Sequence, residues 1–211
     1  MISRLVKYIT AQLLRVFWVK DIQGREYIPK TGQFLIVANH ASFLDFFIIP
    51  YAIFASGRND CVYFLAAKEL LLNPILIFYR LLGIVRCIPI DRKNPGVKFY
   101  KEAIKVLNQG KILVVFPEGT RTVNGMMGPW KPAYLTLALR SRSPIIPMAL
   151  DSTHKILPKG KLLPKLTKCV VRIGKPFQPN NIVVQGKTAK EILSCSELIR
   201  NEILSLLGKS E

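Results

Sequence analysis

Phe34-Leu35-Ile36-Val37-Ala38-Asn39-His40-Ala41-Ser42-Phe43-Leu44-Asp45 carries the decision about the fold. Five consecutive apolar residues with no polar alternation describe a short strand buried on both faces, as in a parallel sheet. A polar loop follows at once, and then a second apolar run, Phe43–Ala55, long enough for a helix and closed near Gly57. The loop holds His40 and Asp45, five positions apart. The chain has only two histidines, and 13 acidic residues against 31 basic ones, so this pair is no scattered surface charge. An aspartate that accepts from one imidazole nitrogen leaves the other as a base and stabilises the imidazolium that forms. With no serine or cysteine nucleophile in a hydrolase setting, the natural use of such a base is to deprotonate a hydroxyl brought by a substrate.

Outward from this stretch, strands and helices alternate. Strands are predicted at Val62–Ala66, Ile84–Ile90, Ile112–Phe116, Ile145–Leu150 and Cys169–Ile173. Helices are predicted at Pro74–Leu82, with Pro74 in its first turn, and at Val97–Gln109, Ala133–Ser141 and Thr188–Leu207. This alternation predicts an α/β fold with a mixed, largely parallel sheet flanked by helices. Sites in such sheets lie beyond the carboxyl ends of the strands, and His40 and Glu118 each closely follow one. No repeat or low-complexity tract interrupts the pattern.

The 211 residues carry a net charge of +18 with half of them hydrophobic, and the mean hydropathy is positive. Such an excess points to an anionic partner, and its pairing with high apolarity favours a membrane surface over nucleic acid. Residues 2–19 place Ile2, Leu5, Val6, Ile9, Leu13 and Phe17 on one helical face, with Arg4, Lys7 and Arg15 interspersed and Trp18 near the end. This predicts a basic amphipathic helix at the membrane interface over residues 1–20, with docking on the protein's own core as the alternative. The catalytic domain is expected over 21–211. Asn39, His40, Ser42 and Asp45 argue against a span at 33–55, and no transmembrane helix is expected. The four cysteines are far apart without a Cys-x-x-Cys pair, which predicts reduced thiols in a cytosolic compartment and no metal site. Segment 155–168, rich in lysine, is expected to be a solvated loop, with a membrane-facing patch as the alternative.

A second constellation, Phe116-Pro117-Glu118-Gly119-Thr120-Arg121, leaves a strand through a turn that Gly119 permits. The Arg121 guanidinium is a planar fork suited to phosphate. Together, His40-x4-Asp45 and Phe116–Arg121 resemble the glycerolipid acyltransferase family, in particular its bacterial 1-acylglycerol-3-phosphate acyltransferases. Ala67-Lys68-Glu69-Leu70 with Pro74, Leu82-Gly83 and Ile88–Arg92 resembles the family's second block, and Pro144–Ala149 its fourth. Trp130-Lys131-Pro132-Ala133 is similar to an aromatic-Lys-x-Gly segment of the family, with Ala133 in place of the glycine. The similarity runs from about Gly24 to Gly174.

The resemblance implies a glycerol-3-phosphate acyltransferase-like fold and transfer of a fatty acyl group from acyl-CoA or acyl-carrier protein to the sn-2 hydroxyl of lysophosphatidic acid. His40 is then the general base and Asp45 its orienting partner. Lys68, Arg92 and Arg121 hold the acceptor's phosphate, and Glu118, Gly119, Thr120 and Lys131 complete the substrate site. Glu118 binds a glycerol hydroxyl or pairs with one of the cations. Arg92 has an alternative as a structural partner of Asp91, and Lys68 as a neighbour of Glu69 on a solvated face. His154 is expected to be a loop histidine without a catalytic role. Apolar residues of 43–54 and 71–82 are expected mostly in the core, with some lining an acyl-chain groove. No cofactor is expected beyond the thioester co-substrate. The implied location is peripheral or monotopic, on the cytoplasmic face of the cell membrane. Rival acceptors are glycerol 3-phosphate or another lysolipid. A nucleic-acid-binding protein leaves the His–Asp pair without a use, and a lipase lacks its Gly-x-Ser-x-Gly elbow.

Overall fold

The structure, a computed structural model, describes residues 2–91, 96–178 and 189–208. Seven strands form one sheet: β1 (Val19–Gln23), β2 (Phe34–Ala38), β3 (Val62–Ala67), β4 (Val85–Ile90), β5 (Ile112–Val115), β6 (Ile145–Asp151) and β7 (Cys169–Ile173). Their spatial order is β1-β7-β6-β2-β5-β3-β4. The five strands from β6 to β4 run parallel, and β7 turns antiparallel on β6 with β1 parallel beside it. The mixed, largely parallel sheet expected from the alternation is present.

The described helices are α1 (Ile2–Phe17), α2 (Asp45–Ala55), α3 (Pro74–Leu81), α4 (Lys98–Asn108), α5 (Ala133–Ser141), the single turn α6 (Thr153–Ile156) and α7 (Ala189–Leu206). Alternation along β2 explains the two layers. Phe34, Ile36 and Ala38 pack with α2 and with Leu14 of α1 on one face, while Leu35 and Val37 pack with α4, α5 and α7 on the other. All five residues are fully enclosed, as a central parallel strand demands. α2 is apolar all round because it lies between the sheet and the outer helices, and each enclosed side chain such as Ile48 or Ile49 contributes about 1.5–3 kcal/mol.

Strand β1 has no counterpart among the predicted elements. Its register against Cys169–Ile173 begins at Val19, so the expected division between residues 20 and 21 falls inside a strand of the sheet. Gly24 then turns with φ 73°, and a Cβ there would strike the carbonyl of Ile173, so glycine is required. α1 docks on the domain along one side only. Ala11 and Leu14 are buried on the domain, whereas Leu5, Ile9, Leu13 and Phe17 of the predicted stripe stay 42–58% exposed. No helix among the described residues is long and apolar enough to cross a membrane.

Candidate active site

Register builds the site. β2 pairs with β5 so that Val37 lies opposite Val115. Three residues beyond that pair stand His40 on one strand and Glu118 on the other, at the carboxyl edge of the sheet. The His40 N–H donates to Glu118 Oε1 at 2.8 Å, and the Gly128 N–H donates to Oε2 at 2.9 Å. On the other side Asn39 imitates a strand residue. Its Nδ2 donates to the Leu150 carbonyl at 3.1 Å and its Oδ1 accepts the Leu150 N–H at 2.8 Å. The loop after β2 is thereby held from both neighbouring strands. Ser42 Oγ adds a bond to the Leu157 carbonyl at 3.0 Å.

Within that loop, Asp45 opens α2 and its Oδ2 accepts three N–H groups. They are His40 Nδ1 at 2.8 Å and the backbone N–H groups of Ala41 and Ser42, each at 2.9 Å. Helix α2 starts at Asp45, two residues later than the pattern suggested, because residues 42–44 form the turn that delivers these donors. A carboxylate oxygen only accepts, so Nδ1 carries the hydrogen and Nε2 keeps its lone pair. The imidazole lies flat on the Phe116 ring, centroids 4.0 Å apart at 12°, with Phe46 edge-on at 5.9 Å. His40 is 7% exposed and Asp45 fully buried. Asp45 and the Phe116 ring thus fix the imidazole, and His40 lines a cavity.

That cavity, about 480 Å³, is walled largely by apolar side chains from β3, β5, α4 and α5, including Leu65, Phe99, Tyr100 and Leu137. Glu118, Gly119, Thr120 and Lys131 line it together with His40. Burial pushes the Glu118 carboxyl above its ordinary range, and its bonds to the Gly128 and His40 N–H groups pull the other way without cancelling the effect. The partners of its oxygens are these two backbone groups, so Glu118 brackets three chain segments and forms no ion pair among the described residues. Gly119 has φ 67° and closes the turn by donating its N–H to the Phe116 carbonyl at 3.0 Å. Lys131 approaches Gly119 from the strand-like segment whose N–H bonds the Pro117 carbonyl at 3.0 Å.

Arg121 stands next door. The Thr122 N–H donates to the His40 carbonyl at 2.9 Å, which ties the arginine's loop to His40. Its side chain lines a second groove of about 510 Å³ between α1, the start of α2, α3 and the loop after α6. Phe43, Leu44, Phe47, Ile75 and Tyr79 of the two predicted apolar segments line this groove too. Lys68 is held elsewhere: its ammonium meets Asp91 Oδ2 at 2.7 Å, and that pair raises its pKa. It lines neither cavity. Arg92 lies outside the described residues.

Sequence reasoning missed three contributors. Gly128 acts through its backbone N–H, which no residue pattern signals. Lys159 reaches Thr120 Oγ1 at 3.4 Å and the Arg121 carbonyl at 3.5 Å, and Lys161 lines the second groove. Both lie in the lysine-rich segment expected to be a solvated loop, whose charge was the available signal. His154 sits against the same region, its ring directly where a Cβ on Gly125 would fall.

Comparison with known proteins adds the following. Residues 20–151 match the model of the Acyltransferase family. A 1-acyl-sn-glycerol-3-phosphate acyltransferase of Bacillus subtilis is 31% identical over 161 residues, 74% of this chain and 72% of its own. One from Limnanthes alba is 36% identical over 143 residues, 66% of this chain and 48% of its own. One from Limnanthes douglasii is 35% identical over 152 residues, 69% of this chain and 51% of its own. The chain therefore spans about half the length of the two plant relatives. The crystal structure of the 1-acyl-sn-glycerophosphate (LPA) acyltransferase PlsC from Thermotoga maritima has the same fold, with a TM-score of 0.70 and 22% identity over 97% of this chain and 79% of that one.

Proposed function

Because the chain belongs to the acyltransferase family, we propose that it transfers a fatty acyl group from a thioester to the sn-2 hydroxyl of lysophosphatidic acid, giving phosphatidic acid. The observation that carries this is the free edge of His40, held by Asp45 and Phe116, at the wall of a 480 Å³ apolar cavity. The cavity is of the size of small-molecule sites and suits the donor's acyl chain. The chemistry follows from the groups present. His40 Nε2 takes the proton of the acceptor hydroxyl as its oxygen attacks the thioester carbonyl. Asp45 stabilises the imidazolium. The carbon–oxygen bond forms, the carbon–sulfur bond breaks, and the thiolate takes the proton back from His40. A thiolate leaves readily, so neither an acyl-enzyme nor a cofactor is needed, and the donor is acyl-CoA or acyl-carrier protein. Arg121, beside His40 through the Thr122 bond, anchors the phosphate.

The acceptor is a lipid, and the exposed stripe of α1 on a chain of charge +18 supports work at an anionic membrane surface. A peripheral or monotopic position on the cytoplasmic leaflet fits these features. The test is an acceptor panel of lysophosphatidic acid, other lysolipids and glycerol 3-phosphate, each with acyl-CoA and acyl-carrier protein. Lysophosphatidic acid is expected to be the best acceptor, and His40→Ala to abolish turnover in a folded protein. Near-normal rates from His40→Ala would overturn the mechanism.

A further inference from the structure

Two apolar spaces lie side by side, the first lined by His40, and the donor's acyl chain takes only that one. Thr120 lines the first and Arg121, its neighbour, lines the second, while Leu70 belongs to both. The second groove is amphiphilic along its length. Arg121 and Lys161 mark its polar side, and Leu13, Trp18, Phe43 and Ile75 supply apolar wall. Its lips are unusually exposed for such residues: Leu13 is 48%, Ile75 52% and Leu162 93% accessible. Leu163 and Leu166 continue the exposed rim at 83% and 79%. Exposed apolar surface of this extent marks a place of contact. Trp18, whose indole N–H donates to the Lys165 carbonyl at 3.0 Å, joins α1 to the leucine-bearing loop and closes one wall.

We propose that this groove holds the hydrocarbon tail of the lysophospholipid acceptor. The inference rests on the acyl-transfer function above and adds a berth for the second chain. The two chains of the product diverge from its glycerol backbone, and the cavity beside His40 provides a path for one. The acceptor's phosphate lies a few bonds from its reacting hydroxyl, so a headgroup on Arg121 places the tail in the groove that Arg121 lines. The exposed lips let that tail slide in sideways from a lipid surface while its headgroup stays among the lysines. The leucine-and-lysine loop of 159–166 is therefore one wall of a lipid site.

The chain has two tryptophans, which makes the test direct. Trp130→Phe leaves Trp18 as the sole reporter, and Trp130 Nε1 has no hydrogen-bond partner among the described residues that phenylalanine would forfeit. The probe is lysophosphatidic acid brominated in its tail, below its micelle concentration and without vesicles. Saturable quenching of Trp18 is expected. Arg121→Ala should raise the half-saturating concentration by about 10-fold or more, as loss of a charge-assisted bond does. Ile75→Asp, on the exposed lip, should raise it by roughly 10-fold. Absence of saturable quenching would overturn the proposal, as would equal quenching by acyl-CoA brominated in its acyl chain. The two ideas fail separately. Acyl transfer without Trp18 quenching sinks the groove alone, and quenching without acyl transfer sinks the activity alone.

Discussion

Asp45 has two jobs that a pair of substitutions separates. Its Oδ2 supports the His40 ring and also takes the N–H groups of Ala41 and Ser42, residues only 2% and 0% exposed. Asp45→Ala leaves both backbone donors buried and unpaired, at about 1–3 kcal/mol each. The sum, about 2–6 kcal/mol, is a large part of the roughly 5–15 kcal/mol that holds a domain together. A fall in Tm on the order of 10 °C follows for a chain of this length. Asp45→Asn keeps an oxygen for the three donors but loses the charge. A unit charge about 4 Å from the imidazolium at an effective dielectric of about 20 is worth roughly 4 kcal/mol. That corresponds to about a 10³-fold slower chemical step. The expected pattern is an Asn variant that melts near wild type and turns over about 10³-fold slower, beside an Ala variant that loses both. Scanning fluorimetry gives Tm, and thiol release from acyl-CoA gives the rate. An Asn variant at wild-type rate would refute the charge-stabilising role, and an Ala variant with unchanged Tm would refute the loop-anchoring one.

Burial raises the Glu118 pKa in the folded state, so its contribution to stability is fully present below the unfolded value, about 4.3, and is lost as pH rises through the folded one. Against Glu118→Gln, which does not titrate but offers one acceptor fewer, the wild-type advantage in Tm should therefore shrink as pH rises above about 4.3. A widening gap would contradict the assignment. The double change Leu5→Gln/Ile9→Gln removes exposed apolar area from α1 without touching Ala11 or Leu14, and should weaken binding to anionic vesicles by about 10-fold or more in sedimentation. Equal binding would remove α1 from the lipid contact. Gly125→Ala puts a methyl group on the His154 ring at φ 80° and should lower Tm by a few degrees, and His154→Ala should restore part of it. Additive losses would show that the two do not meet.

The strand at Phe34–Ala38 and the helix at Ala133–Ser141 were legible to the residue because burial on both faces, or an apolar helical face, leaves a local pattern. Val19–Gln23 was not. Val19 and Lys20 read as the tail of a basic helix and residues 21–23 were given no element; what makes the segment a strand is a partner about 150 residues away, at Cys169–Ile173. His40 and Asp45 were legible as a pair because both chemistries lie in one loop. The bracketing by Glu118 was not, since its partners are backbone N–H groups that every residue type carries. The occupation of Lys68 by Asp91 depends on β3 pairing with β4, which spacing along the chain does not reveal.

The anchors of the His40 loop are spread widely along the chain. Glu118, Leu150 and Leu157 each hold it, and the strand beside His40 has its two neighbours at residues 112–115 and 145–151. During synthesis none of these exists when His40 leaves the ribosome. The His40 ring is set in place only when the chain has passed Leu157, long after the histidine itself was made. A growing or truncated chain thus carries an imidazole without the scaffold that aims it. The arrangement of His40 therefore arrives in one late step with closure of the sheet.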